Sequence, residues 1–538
     1  MRSPEQLLSP AIGDYGLIGD GRSAALVSRH GSIDWLCWPR FDSPAILAAL
    51  LDPQRGGRWQ VRPAAAARVT RKYLAETNVL ETRFENAAGE VRLVDFMAVL
   101  SEEEKRTRLS AEHELVRIVE CVRGELPMEL SLSARPDYAR RAVRPRRRGA
   151  LGVRIEDGPR LYTLHSTEAL EVEGSDVHAR WVLREGERAV FVLTYDADGP
   201  ATLVAPEPYA QEALERTVRW WRGWVGGCRY RGPHRDAVLR SVLTLKLLSY
   251  APSGAIVAAP TASLPERLGG DLNWDYRFCW LRDAALTVRV LFDLGFEEEA
   301  ESFVGWLLHS TRLTRPELRV LYDVYGKTPA DEQQLGHLSG FRDSRPVRIQ
   351  NGAADQLQLD SYGEVIDAVA QMARRDGPLD RETQRMLSDF GEYVCRNWER
   401  PDQGIWEPRG PPRHYTHSKL LCWVALDRCL ELHQLGVLKK IPAERFEHNR
   451  ALLRDEIERR AWNDALQSYT QTLEGDSVDA SLLLMSWYGF HPARAQRMRS
   501  TARLIRERLE PEVGLFYRNE QSLLTPARIR ARWLKACG

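Results

Sequence analysis

The sequence predicts a β-sandwich followed by a ring of helical hairpins, and three observations carry that prediction. Short runs with a two-residue hydrophobic period fill the chain to about residue 205, and the period turns helical at Pro206. From about Arg235 onward, charged amphipathic helices alternate with helices that are apolar or small for much of their length. At 538 residues the chain is also beyond the roughly 250–300 at which one hydrophobic core stops growing, so more than one core-bearing unit is expected.

Taken in order, SAALVSRHGSIDWLCW reads as a strand pair around His30 and Gly31, and VLETRFENAAGEVRLVDFMAVL as a second pair around ENAAGE. The runs HELVRIVECV, MELSLSARP and RAVFVLTYDA repeat the pattern to about Ala197. The basic stretch ARRAVRPRRRGALGVR reads as a solvated strand edge or loop, a better account than a nucleic-acid site in a chain with no basic excess. Residues 1–205 are therefore expected to form the sandwich, 206–232 a linker helix, and 233–538 the helical domain. Charged, wet-faced helices are expected at about 235–250, 296–312, 379–398, 443–460 and 492–509. Buried helices are expected at about 277–294, 352–371, 416–433 and 479–488. Outer and inner helices in alternation imply an α/α toroid. The loops that lead from an outer helix into the next inner one, at 251–276, 313–351, 399–415 and 461–478, are long and rich in polar and aromatic residues, so a ligand site is expected at the end of the ring where they gather.

Composition narrows the function. Hydrophobic residues make up 43% and charged residues 28% of the chain, which excludes disorder and fibres. A formal net charge of +1 provides no field to gather nucleic acid or an anionic membrane surface. No run reaches the roughly 18 apolar residues of a membrane span, and MRSPEQLLSPAIGDYG has no apolar secretion core, so a cytoplasmic protein is expected. The 8 cysteines form no CxxC pair and no zinc-like spacing, which reads as buried free thiols with no metal and no cofactor. The 16 tryptophans are the compositional oddity, since indole faces both fill cores and stack on sugar rings.

The long loops supply acids, amides, guanidinium forks and indoles through NWDYRFCWLRDAALT, SGFRDSRPVRIQNGAADQLQLDSYGEV and DQGIWEPRGPPRHYTHSK. That inventory suits a neutral polyhydroxyl ligand, because carboxylates and Arg forks grip paired hydroxyls while Trp covers the apolar face of the ring. Taken as a loop residue alone, Glu407 reads equally as an ion-pair partner of Arg409 or Arg413, and Arg282 with Asp283 as an ordinary pair at a helix start. Asp360 and Glu364, at i and i+4, share a helix face and read as structural or as support for the site.

Together with AIGDYGLIGDGRSAALVSRHGSIDWLCWPRFDSP and DASLLL, these strings resemble bacterial glycoside hydrolase family 15, the glucoamylase and trehalase-like proteins, from about residue 10 to about 518. The resemblance implies an N-terminal β-sandwich and an (α/α)6 toroid, and inverting, exo-acting hydrolysis of a small α-glucoside such as trehalose or a malto- or isomalto-oligosaccharide. It implies that Glu407 is the general acid, that Arg282 and Asp283 hold the non-reducing glucose, and that Trp280, Trp274, Trp406, Arg345, Arg348, Asn351, His414, His417 and Lys419 line the sugar site. The family's general base is expected about 160 residues beyond the acid, and no residue of this sequence inherits that role by motif. The similarity stops near residue 520, where QSLLTPARIRARWLKACG carries an internal Pro and three Arg, so a truncated or frameshifted, incomplete toroid is expected. An open ring would expose apolar flanks and invite self-association. The alternative function is therefore a non-catalytic glucoside-binding remnant, and Glu364 and Glu512 are the first places to seek a substitute base.

Overall fold

The computed structural model describes residues 9–107, 110–197, 205–377 and 379–520. These fall into two compact units. The first draws on Met1–Phe278, Leu294–Phe296 and Gln333–Ile349, and the second on Cys279–Asp293, Glu297–Glu332 and Gln350–Gly538.

Two antiparallel sheets build the first unit. One runs in the order Tyr15–Gly19, Ala24–Ser28, Ser32–Cys37, Trp59–Pro63, the second half of His113–Leu132, Asp176–Arg184 and Glu171–Glu173. The other runs Arg68–Tyr73, Leu80–Asn86, Gly89–Met97, the first half of His113–Leu132, Arg188–Asp196, Arg160–Ser166, Val153–Asp157 and Arg146–Arg147. The runs HELVRIVECV and MELSLSARP, expected as separate strands, are thus one strand of 20 residues shared by both sheets. It changes sheet at Gly124, whose φ of 79° is open to glycine, beside a register shift where Val91 pairs with Cys121. A Cβ at Gly124 would stand 2.1 Å from the Ala88 carbonyl oxygen. Alternate residues of both sheets face one core, including Val27, Ile33, Trp59 and Leu130 from one and Phe84, Leu93, Val119 and Leu193 from the other, none more than 3% exposed. The basic stretch ends as an edge strand, with Arg146 and Arg147 exposed.

Helix α1, Pro206–Val225, lays Ala210 and Ala213 on Val94, Phe96, Val116 and Val192 of the second sheet, so the expected linker helix is part of the first unit's packing. Helix α2, Arg235–Leu247, also belongs to this unit, and its Leu243 carbonyl accepts the Asn78 amide at 3.0 Å.

The second unit is helical and holds α3 (Leu281–Asp293), α4 (Glu297–Thr311), α5 (Asp360–Asp376), α6 (Arg381–Asn397), α7 (Thr416–Gln434), α8 (Ala443–Glu456) and α9 (Gln496–Leu509). The inner and outer characters expected from the sequence are visible in burial. Helix α7 is buried along most of its length, polar Thr416 to Lys419 included, whereas α8 buries Phe446 and Leu453. Helix α5 packs on both α3 and α7. Two inner helices differ from expectation. The helix expected from 352 begins at Asp360, because the preceding stretch is tied to another loop: Leu357 N–H donates to the Gln403 side chain and Leu359 N–H to Asp402 Oδ2. The segment expected as a helix over 479–488 is a 3₁₀ turn, Ala480–Leu483, followed by the single turn Leu484–Trp487. The divergent segment from Gln521, with Cys537, lies outside the described residues. Cys37, Cys121, Cys228, Cys279, Cys395, Cys422 and Cys429 are free thiols.

Candidate active site

Residues Cys279 and Trp280 pair with Leu321 and Tyr322 as a two-residue ladder that runs directly into α3, which fixes the direction of the first helical turn. Trp280 is 1% exposed and presents its N–H rather than an open ring face, donating to Glu407 Oε1 at 2.8 Å. Arg282 Nη1 donates to the same oxygen at 3.1 Å and to the Ile405 carbonyl at 2.7 Å, while Nη2 donates to Asp283 Oδ2 at 2.9 Å. Arg282 is thus the ion-pair partner of Glu407. Arg409 bonds Glu332 at 2.8 Å, and Arg413 donates to Thr472 Oγ1 at 3.3 Å, so the loop-residue reading of Glu407 does not describe this geometry.

Glu407 itself adopts φ 54°, in the left-handed region that a residue with a Cβ seldom occupies. Its side chain is 16% exposed. Burial pushes the carboxyl above the ordinary carboxylate range; Arg282 pulls it back, Asp283 pushes it up further, and the Gln358 amide favours the anion. The net direction is upward. Burial works against the charge of Arg282, yet Asp283 and Glu407 hold it firmly cationic.

The other sequence-predicted residues take several positions. Asn351 caps a 3₁₀ turn by accepting from Ala353 N–H at 2.9 Å, and also accepts from Arg409 at 3.4 Å. Trp406 donates its indole N–H to Asp479 Oδ2 at 2.7 Å. His417 is buried with Nδ1 3.4 Å from Asp360 Oδ2; burial opposes its charge, but Asp360 and Glu364 raise its pKa. Lys419 reaches away from that face to the carbonyls of Trp398 and Arg400, the latter at 2.9 Å. It fastens the loop after α6, and burial lowers its pKa. His414 is partly buried, with burial and Lys419 lowering its pKa. Arg345, Arg348 and Trp274 belong to the first unit, where the Arg348 guanidinium lies 4.5 Å from the centre of the Trp274 ring and Arg345 donates to the Ser339 carbonyl at 3.3 Å. Glu364 is 2% exposed and accepts the Tyr488 hydroxyl at 2.7 Å, and burial pushes its carboxyl up to about 7. Glu512 is an exposed turn residue.

Three site residues were not singled out in the sequence. Gln356 donates to the Glu407 and Pro408 carbonyls at 3.4 and 3.3 Å, Gln358 donates to Gln356 at 3.3 Å and acts to lower the Glu407 pKa, and Asp479 holds Trp406. The two glutamines are two residues apart in QLQ, the spacing that puts extended residues on one face, and Asp479 before Ala-Ser carries a helix-cap signal. A separate cavity of about 750 Å³ in the second unit is lined by Arg289, Trp423, Arg428, Arg454 and Trp487, among others, and by none of the predicted site residues. Its Arg289 and Arg428 are both bound to Asp367. Among the described residues, no group of three or more His, Cys, Asp or Glu is placed to hold a metal ion, and no helix is long and apolar enough to cross a membrane.

Residues 232–523, which include the Trp280–Glu407 cluster, match the glycosyl hydrolases family 15 domain, and residues 8–201 match the trehalase-like N-terminal domain. The chain belongs to glycoside hydrolase family 15. The family 15 chain is 35% identical over 538 residues to a trehalase of Mycolicibacterium smegmatis, across 95% of this chain and 79% of that one. It is 33% identical over 543 residues to a trehalase of Mycobacterium tuberculosis, across 96% and 78% of the two chains. It is 31% identical over 526 residues to a trehalase of Thermoplasma volcanium, across 96% and 82%. This family 15 protein is a glycosidase, with an antiparallel β domain ahead of a helical one.

Proposed function

We propose that this glycosidase hydrolyses trehalose, with Glu407 protonating the glycosidic oxygen and Arg282 and Asp283 gripping the non-reducing glucose. The observation that carries the reading is the geometry of Glu407: a carboxyl only 16% exposed, held by Trp280 and Arg282 on a left-handed backbone, with burial raising its pKa. Burial favours the neutral acid that must donate. The Arg282 guanidinium and the Trp280 N–H then receive the anion left behind, so the same contacts serve both halves of proton transfer. The trehalase relatives support the disaccharide, and the near-zero net charge suits a neutral sugar in the cytosol.

Inversion requires a second carboxylate about 6.5–9.5 Å from the acid to activate water from the opposite face of the ring. The alternative reading is glucoside binding without turnover. Proton NMR of product released from trehalose, maltose and isomaltose separates the two. First-formed β-glucose from trehalose, lost in Glu407→Gln, is expected of an inverting trehalase. Calorimetric binding of trehalose with no glucose released supports the second reading, and α-glucose as first product overturns inversion.

A further inference from the structure

The strained conformation of Glu407 is held from three sides. Arg282 binds the Ile405 carbonyl at 2.7 Å, one peptide ahead of Trp406. Gln356 binds the Glu407 and Pro408 carbonyls from the stretch before α5. The third hold is the Trp406 indole, whose N–H donates to Asp479 Oδ2 at 2.7 Å. Asp479 is 1% exposed and is itself locked: the Gln471 amide donates to Oδ2 at 3.0 Å, and Ser481 N–H donates to Oδ1 at 2.8 Å, capping the turn Ala480–Leu483. The acceptor therefore cannot follow a moving indole. A side chain anchored at residue 406 fixes the peptide that joins it to residue 407, and that peptide sets where the Glu407 carboxyl points.

We infer that Asp479 is a positioning residue for the proton donor, keeping Glu407 in its buried, left-handed conformation by binding the Trp406 indole. This rests on the reading of Glu407 as the acid. Without the anchor only the Arg282 and Gln356 holds remain, and the 406–408 backbone can shift toward negative φ and let the carboxyl swing from Trp280 toward water. Its proton would then be held less tightly, because burial is what retains it. Arg282 and Asp283 of α3 act on Glu407 and His417 of α7 acts on Asp479, while the Arg518 guanidinium lies 5.6 Å from the centre of the Trp406 ring, a contact with the ring and not with the indole N–H.

The test uses the full chain and two readouts. Infrared difference spectra of each protein against its Glu407→Gln counterpart follow the protonated Glu407 carboxyl with pH and need no turnover. Where turnover is measured, trehalose, whose leaving group needs a proton, is compared with α-glucosyl fluoride, whose leaving group does not. Asp479→Leu removes the acceptor. Trp406→Phe removes the indole N–H while leaving the cap of the 480–483 turn intact, so it answers for a destabilised Asp479→Leu protein. Both variants are expected to move the carboxyl midpoint toward the ordinary carboxylate range and to lower trehalose turnover about 10- to 100-fold with a much smaller loss on the fluoride, as for a misplaced catalytic group. An unchanged midpoint in Trp406→Phe overturns the positioning role. Full trehalose turnover in Glu407→Gln overturns instead the acid assignment on which it rests.

Discussion

Replacing Glu364 by Gln should stabilise this enzyme at neutral pH, because its carboxyl is buried in a place that favours the proton. Glu364 is 2% exposed on α5. Burial raises its carboxyl from the ordinary 4.5 to about 7; His417 of α7 and the Tyr488 hydroxyl oppose the rise, and Asp360 and Asp367 of its own helix add to it. In the unfolded chain the group loses its proton near 4.5, whereas the folded chain keeps it to about 7. The folded state therefore binds the extra proton in that window; the group carries no penalty below the lower value, and stability is lost as pH rises toward the upper one. At about 1.4 kcal/mol per pH unit, the penalty reaches about 3 kcal/mol once the carboxyl is ionised. Gln removes the charge and keeps a carbonyl oxygen for the Tyr488 hydroxyl at the 2.7 Å contact. The variant should thus match wild type at about pH 4.5 and be about 3 kcal/mol more stable at about pH 8. Denaturant unfolding followed by Trp fluorescence and circular dichroism at several pH values measures the difference. A gap that does not change with pH, or a less stable Glu364→Gln protein at about pH 8, would refute the reasoning, since either would mean an ionised Glu364 stabilised by His417.

Three further outcomes are expected. Arg117 and Asp95 lie 2.7 Å apart with both side chains 0% exposed, so Arg117→Met should cost about 3–5 kcal/mol by leaving a buried carboxylate alone, and adding Asp95→Leu should recover most of it in denaturant unfolding. Asp283→Ala frees Arg282 from its 2.9 Å partner and should raise KM for trehalose by about 10-fold or more with a smaller effect on kcat; an unchanged KM would deny it a part in gripping sugar. Because burial raises the Glu407 carboxyl, the active protonated form should persist above the usual carboxylate range and disappear as pH rises through the folded value. Trp280→Phe removes a donor that favours the anion at 2.8 Å, so it should move that limb of the pH–rate profile to higher pH, and a shift to lower pH would contradict the geometry.

What the sequence determined by itself is the set of local choices. The two-residue period marked the strands and the 3.6-residue period marked the helices, because each reports only which side of an element meets a core. The contrast between α7, buried even at its polar residues, and α8, which buries Phe446 and Leu453, was readable in advance from where the charges fall. Trp280, Arg282, Asp283 and Glu407 were named in advance from the strings that carry them, and the structure brings the four side chains together.

Tertiary structure decided whatever depends on partners distant in sequence. Arg282, 125 residues from Glu407, is its ion-pair partner, while the nearby Arg409 and Arg413 bond elsewhere. His417 and Lys419 were expected together at the sugar, but residues two apart on a helix do not share a face. The first turns to Asp360, and the second to the Trp398 and Arg400 carbonyls. The single strand His113–Leu132 was hidden as two runs because its change of sheet depends on the Ala88 carbonyl passing close to Gly124. The Trp406–Asp479 bond spans 73 residues, and neither residue alone signals the other. Periodicity encodes the faces of an element; which faces meet, and so which carboxyl keeps its proton, is fixed only when packing brings distant groups within about 3 Å and excludes water from between them.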